Sequence, residues 1–143
     1  KTHGGHIPIA SLNDEHGKTI KDIRNQLDRT VVFEDIVSGP GLQKLSDTYD
    51  TEKANRLFHE FLGIFAATAL VTGHAYGGLY LTGGVITDLY DNNNFDFDRF
   101  NRALCFDAVD CVKQDISDTP IHIITDPYPA LKGLIHAQSL SNH

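Results

Sequence analysis

Three glycine-rich blocks hold the residues whose types and spacing suit chemistry. They are His3-Gly4-Gly5-His6, the turn Ser38-Gly39-Pro40-Gly41-Leu42 with Glu34 four residues ahead of its serine, and Gly77-Gly78-Leu79-Tyr80-Leu81-Thr82-Gly83-Gly84. Glycine lets backbone approach a ligand closely. His3 and His6 bracket two glycines. That spacing reads either as a metal pair, which then lacks a third ligand, or as hydrogen-bonding imidazoles at the start of a strand. Glu34 is a charge inside a short apolar segment, Val31 to Val37, and such a charge asks for a partner. The plainer alternative is a solvated turn carboxylate. Gly83-Gly84 taken alone resembles many ordinary turns. Placed after an apolar strand it gains weight, because the helix opening at Val85 presents free N–H groups beside it.

The elements that must position these residues are legible in outline. Thr2 to Ser11 reads as a strand leaving a glycine corner, with Ile7 and Ile9 on one face. Asp14 to Leu27 reads as an amphipathic helix through Ile20, Ile23 and Leu27, capped by Asn13. Gly39-Pro40-Gly41 opens a helix through Leu42, Leu45 and Tyr49. Thr51 to Thr72 is the longest helical pattern, apolar almost all round its second half, and is expected to be buried against a sheet. Its Phe58, Phe61 and Phe65 are core residues at helical spacing. Leu79 to Thr82 reads as a short buried strand, Val85 to Tyr90 as a short helix, and Phe97 to Phe106 as a further helix followed by a polar stretch. Ile121 to Thr125 reads as a strand and Pro129 to Ser139 as a terminal helix. Strands alternating with helices predict an α/β layered domain spanning residues 1–143.

Composition narrows the field. The chain has 143 residues, 41% hydrophobic and 22% charged, with a formal net charge of -7. So acidic a chain suits neither nucleic acid nor an anionic membrane surface. The longest apolar run, Phe61 to Thr72, is broken by Gly63 and Thr68 and is too short to span a bilayer. Cys105 and Cys111 make neither a disulfide framework nor a zinc motif and read as semi-buried thiols in a reducing cytosol. Asp91 to Asp98 lacks the glycine and ligand spacing of a calcium loop. There is no methionine, position 1 included; the expectation is a segment of a longer protein.

In order and spacing the three blocks resemble the bacterial glucokinase family, sugar kinases with an actin-like ATPase (ribonuclease H-like) fold, and the resemblance runs from Thr2 to about Gln138. It implies the C-terminal part of the large lobe, a mixed sheet with flanking helices. The family's glycine-glycine-histidine sugar-site block matches Gly4-Gly5-His6. Its glutamate before a Ser-Gly-Pro-Gly-Leu turn matches Glu34, and its nucleotide-side strand and glycine pair match Leu79 to Gly84. The resemblance therefore implies a cytoplasmic enzyme that phosphorylates glucose to glucose 6-phosphate with ATP and Mg²⁺. His6, Glu34 and His3 would face the sugar and Gly83, Gly84 and Val85 the nucleotide, and a homodimer is a further implication.

Departures from the family pattern matter. His3 stands where the family has a sugar-contacting glutamate. Thr87 and Asp88 stand where it commonly has proline and arginine, Ala130 replaces a glycine, and the connection Asp50 to Asn55 is short. The family's catalytic aspartate and both phosphate-binding glycine loops lie upstream of anything in this sequence. No catalytic residue is assigned here, and Asp14, Asp35 and Asp126 are not promoted to that role. The Cys-x-Cys pattern of a zinc-binding kinase branch does not follow His6, so no metal ligand is assigned. The alternative reading is a sugar-sensing or regulatory module that keeps the fold without catalysis.

Overall fold

The computed structural model describes residues 4–105 and 110–141. Helix α1 spans Asp14–Leu27, the predicted bounds. Asn13 Oδ1 accepts from His16 N at 2.8 Å, satisfying one of the free N–H groups of the first turn. Asp14 and Glu15 in that turn and Arg24 in the last complement the helix dipole. The helix ends where Asp28 takes a left-handed conformation, φ 51°.

Helix α2, Gly39–Thr48, is capped by Ser38 and carries Pro40 in its first turn, where a missing N–H costs nothing. Helix α3, Thr51–Gly73, starts under Asp50, whose side chain accepts from Lys53 N, and stops at left-handed His74. Its Leu57, Phe58, Phe61, Leu62, Ile64 and Leu70 are buried. Each large apolar side chain so placed contributes roughly 1.5–3 kcal/mol.

The main neighbours of α3 are α5, Phe97–Leu104, and α2, rather than the expected sheet. The reason is Gly63. A Cβ at that position would lie 2.6 Å from Phe100 O and 2.8 Å from Ala103 Cβ, so only glycine lets the two helices approach this closely. His59 reinforces the contact. Its Nδ1 lies 2.7 Å from Asn55 O, and its Nε2 accepts from the N–H of Asp96, the α5 cap residue, at 3.2 Å.

Strand β1, Leu79–Leu81, pairs in parallel with β2, Ile121–Ile123, in the register Leu79↔Ile121, Tyr80↔His122, Leu81↔Ile123. Parallel neighbours need a long crossover. Here it consists of α4, Gly84–Asp91, then α5, then α6, Asp110–Asp118. Helix α6 falls in the stretch read as merely polar. Strand β1 is not the buried strand expected: Leu81 is buried, but Tyr80 is 62% exposed and stacks on His122. Helix α7, Pro129–Ser141, closes the described chain and turns Leu131, Leu134 and Ile135 to solvent.

Among the described residues of the predicted strand Thr2 to Ser11, no strand forms. Gly4–His6 makes one 3₁₀ turn, and the segment after it makes an isolated antiparallel bridge, Pro8 to Val32. Proline has no N–H to extend a ladder. Thr2, His3, Phe106 and the Cys111 side chain lie outside the described residues; Cys105 is a half-buried free thiol.

Candidate functional site

The site is assembled from the N-terminal turn, the peptide 31–41, and the β1–α4 junction. Phe33 N donates to Ile7 O at 3.1 Å and Ile9 N donates to Val31 O at 3.3 Å. These bonds lay the first segment alongside the second and set His6 beside Glu34.

Glu34 lies in a one-turn 3₁₀ helix, Phe33–Asp35. Its neighbour Asp35 fixes that turn. The buried Asp35 carboxylate accepts two bonds from Arg29, at 2.8 and 2.6 Å, and a third from Val32 N at 2.9 Å. Burial pushes the Asp35 carboxyl up, but the Arg29 bonds and the Val32 N–H outweigh it and hold the group below the usual range. Of the two acids interrupting the apolar segment, Asp35 is thus the structural one, and Glu34 is left facing outward. Sequence reading missed Asp35; its signal is the arginine six residues earlier.

His6 Nε2 and Glu34 Oε2 lie 3.4 Å apart, with both side chains more than half exposed. Gly5 packs against this carboxylate: a Cβ there would lie 3.3 Å from Glu34 Cβ and 3.6 Å from its Oε2. An exposed carboxylate accepts from two neighbouring hydroxyls, and an imidazole adds one donor or acceptor. The pair is chemically suited to a polyol. His3, the third residue assigned to this wall, lies outside the described residues.

From Asp35 the chain turns into α2. Val37 N bonds to Phe33 O at 2.7 Å, and Ser38 Oγ accepts from Gly41 N at 3.0 Å. Gly41 has no room for a side chain, since a Cβ would lie 2.3 Å from Ile36 O. At Gly39 a Cβ would stand 3.5 Å from Val85 Cγ2, so the turn abuts the start of α4.

Between the turn, α3 and β1 lies a cavity of about 430 Å³, walled by Val37, Ser38, Gly39 and, opposite, Thr82 to Val85. A second cleft of about 470 Å³ opens beyond Gly83-Gly84 toward Thr87, Asp88, Asp91, Thr125 and Asp126. Gly83, φ 124°, holds a backbone conformation that favours glycine, and it caps α4 without a side-chain hydrogen bond. A Cβ at Gly83 or Gly84 would meet nothing within 4 Å, so both face open space. The first-turn N–H groups of α4 have no intrahelical partner.

The cleft's acids define what fits. Carboxylates of this kind can accept hydrogen bonds from hydroxyl or amino groups, and their negative charge disfavours phosphates. Asp126 is kept below the usual carboxylate range chiefly by its bond from Lys132, with a second from Tyr128 N. The residues present fit the nucleoside end of a nucleotide rather than its triphosphate. Among the described residues no group of three or more His, Cys, Asp or Glu is arranged to hold a metal ion.

The fold is of the α/β class, helices around a small parallel sheet. It superposes on a crystal structure of glucokinase from an Antarctic psychrotroph with a TM-score of 0.67 at 21% identity, over 87% of this chain and 45% of that one. The glucokinase family model matches residues 46–140, and the chain belongs to the glucokinase family. That match takes in Gly83 to Val85 and begins after His6 and Glu34. Pairwise similarity reaches further. The bifunctional protein glk of Burkholderia pseudomallei is 27% identical over 99% of this chain and 26% of its own length. A glucokinase of Yersinia pestis is 26% identical over 91% of this chain and 47% of its own length. The chain thus spans half or less of these curated relatives.

Proposed function

We propose that this chain provides the hexose wall and the adenosine wall of an enzyme that transfers the terminal phosphate of ATP to glucose, giving glucose 6-phosphate. The observation that carries the reading is the 3.4 Å approach of His6 and Glu34 on one exposed surface. The peptide holding Glu34 then runs directly into the Ser38-Gly39 edge of the cavity shared with Gly83-Gly84.

In this reading Glu34 accepts from adjacent sugar hydroxyls and His6 adds one further bond. Together they fix which hydroxyl points at the phosphate donor. A site of this kind discriminates against sugars lacking the hydroxyl, because its own polar groups are then left unpaired. Gly83, Gly84 and Val85 admit the adenosine close to backbone. Mg²⁺ supplies charge neutralisation at the phosphates when bound with the nucleotide. The general base and the phosphate loops are assigned to no residue of this chain.

The test is calorimetric titration of the full-length polypeptide encoding these residues with glucose, mannose and N-acetylglucosamine, beside Glu34→Ala. Saturable glucose binding, weakened in the variant, together with glucose-dependent ADP release, is the expected result. Unchanged glucose affinity in Glu34→Ala overturns the assignment of the sugar wall. Binding without ADP release overturns the enzyme and leaves a sugar sensor.

A further inference from the structure

Glu34 is the middle residue of the 3₁₀ turn Phe33–Asp35, and both of its neighbours in that turn are buried. Successive side chains leave a 3₁₀ helix about 120° apart. With Phe33 and Asp35 turned inward, the direction of Glu34 is set by how firmly those two are held. Phe33 is held by packing, its ring lying 5.0 Å from that of Phe65. Asp35 is held by charge.

The charge comes from outside the sugar wall. Helix α1 ends at Asp28, whose N–H donates to Arg24 O at 2.9 Å, and Arg29 follows directly. The two terminal nitrogens of Arg29 grip the two Asp35 oxygens at 2.8 and 2.6 Å, and Nη1 also donates to Thr30 O at 3.0 Å. Two parallel bonds fix the plane of a carboxylate as well as its position, which a single-point cation does not. Asp35 Oδ2 passes that constraint to the backbone by accepting from Val32 N at 2.9 Å.

The Asp35 side chain is 8% exposed and that of Arg29 53%. The arginine therefore lies outside the core, and its replacement leaves the apolar packing of the turn in place. Its guanidinium is raised above its ordinary pKa chiefly by the Asp35 bonds, and the Glu34 charge adds to the same shift, so the cation acts on both carboxylates of the turn.

We propose that Arg29 is a positioning residue of the sugar wall: its bidentate grip on Asp35 fixes the direction in which Glu34 faces, and so sets hexose affinity without a contact of its own to the sugar. This role rests on Glu34 being a sugar ligand, as in the proposed function. It makes hexose affinity depend on the end of α1, no residue of which lines the cavity between the two walls. A carboxylate accepting from two adjacent hydroxyls is sensitive to its orientation, because tilting weakens both bonds together.

The test is calorimetric titration of the full-length polypeptide with glucose, comparing Arg29→Gln, Arg29→Lys, Glu34→Ala and the double variant Arg29→Gln/Glu34→Ala. Arg29→Gln is expected to weaken glucose about tenfold, and Arg29→Lys, which keeps the charge and loses the fork, by a similar factor. In the Glu34→Ala background Arg29→Gln is expected to cost nothing further, because the group it positions is gone. A purely structural loss reads differently: unfolded protein lowers the number of sites titrated, leaves their affinity unchanged, and does so in both backgrounds. A fall in site number alone, an equal loss of affinity in both backgrounds, or wild-type affinity in either Arg29 variant overturns the positioning role. Where Glu34→Ala weakens glucose in the same series, that result leaves the sugar wall standing. Where Glu34→Ala changes nothing, or the wild type takes up no glucose, the sugar wall falls and the role of Arg29 with it.

Discussion

The imidazole of His59 bridges two helices: it lies 2.7 Å from Asn55 O through Nδ1 and accepts from Asp96 N at 3.2 Å through Nε2. Those partners fix a neutral ring protonated on Nδ1, with Nε2 as the acceptor. Burial pushes this histidine below its ordinary value of 6.5, and the Asn55 bond only partly offsets that. In the unfolded chain the ring protonates near 6.5 and in the folded chain only at lower pH. The unfolded state therefore binds more protons in that window, and stability falls as the pH drops through it. Urea midpoints measured between pH 7 and pH 5 are expected to decline, with a shallower decline in His59→Gln. An equal slope in the variant would sink this account.

Glu15 answers to a different range. Its bidentate bonds to Arg56, at 2.8 and 3.0 Å, and its contact with Lys53 lower its pKa from 4.5 to about 2. A carboxylate so depressed adds stability above about 4.5, and that contribution is lost as the pH falls through about 2. Because the side chain is partly open to solvent, Glu15→Gln is expected to cost only about 1 kcal/mol at pH 7. The cost is expected to vanish near the acid limit. Denaturation curves at both pH values check this.

Glycine replacements separate tight contacts from open ones. Gly63→Ala sets a methyl 2.6 Å from Phe100 O, and Gly41→Ala sets one 2.3 Å from Ile36 O. Both are expected to destabilise by about 1–3 kcal/mol or more through overpacking against backbone. Gly133→Ala, inside exposed α7 with nothing near, is expected to leave stability unchanged or raise it by about 1 kcal/mol. Calorimetric melting of the three variants gives the order.

At the proposed sugar wall, Glu34→Ala removes a charged acceptor while leaving the Asp35–Arg29 anchor in place. Glucose affinity is expected to fall about 10- to 100-fold, the scale of one or two charge-assisted bonds, with little change in melting temperature. Asp35→Ala is expected to do the reverse in part, lowering melting temperature first and glucose affinity only as a consequence.

The 143 residues expressed alone are expected to release no ADP above background with glucose and Mg-ATP. A positioned base contributes about 10²–10⁴-fold, and none is assigned in this segment. A coupled assay decides it, and robust turnover would refute the division of labour proposed here.

What the sequence revealed follows from how local each signal is. Helix α1 and its Asn13 cap were legible to the residue, because capping chemistry and a 3.6-residue period are both written within one element. The Ser38 turn was legible for the same reason. The N-terminal strand was misjudged because Ile7 and Ile9 alternate correctly while Pro8 between them cannot donate to a ladder. Helix α6 was missed because its apolar anchors are few, chiefly Ile116 and Val112, and polar residues fill the rest. The partner of α3 was invisible, since nothing in Gly63 itself says which backbone will lie against it. At the candidate site the approach of His6 to Glu34 was anticipated from ordered motifs, whereas the burial of Asp35 depended on Arg29 folding back over it.

The nine residues from Phe33 to Gly41 carry a constraint on how this protein changes over generations. One end presents Glu34 to His6, the other lays Gly39 against Val85, and the bend between them tolerates no methyl at Gly41. On the proposed function, mutations along this stretch are expected to shift both walls at once, so a lineage altering one specificity by that route disturbs the other. Independent divergence is left to residues off the shared peptide, with His6 on one side and the rim of the Gly83 cleft on the other.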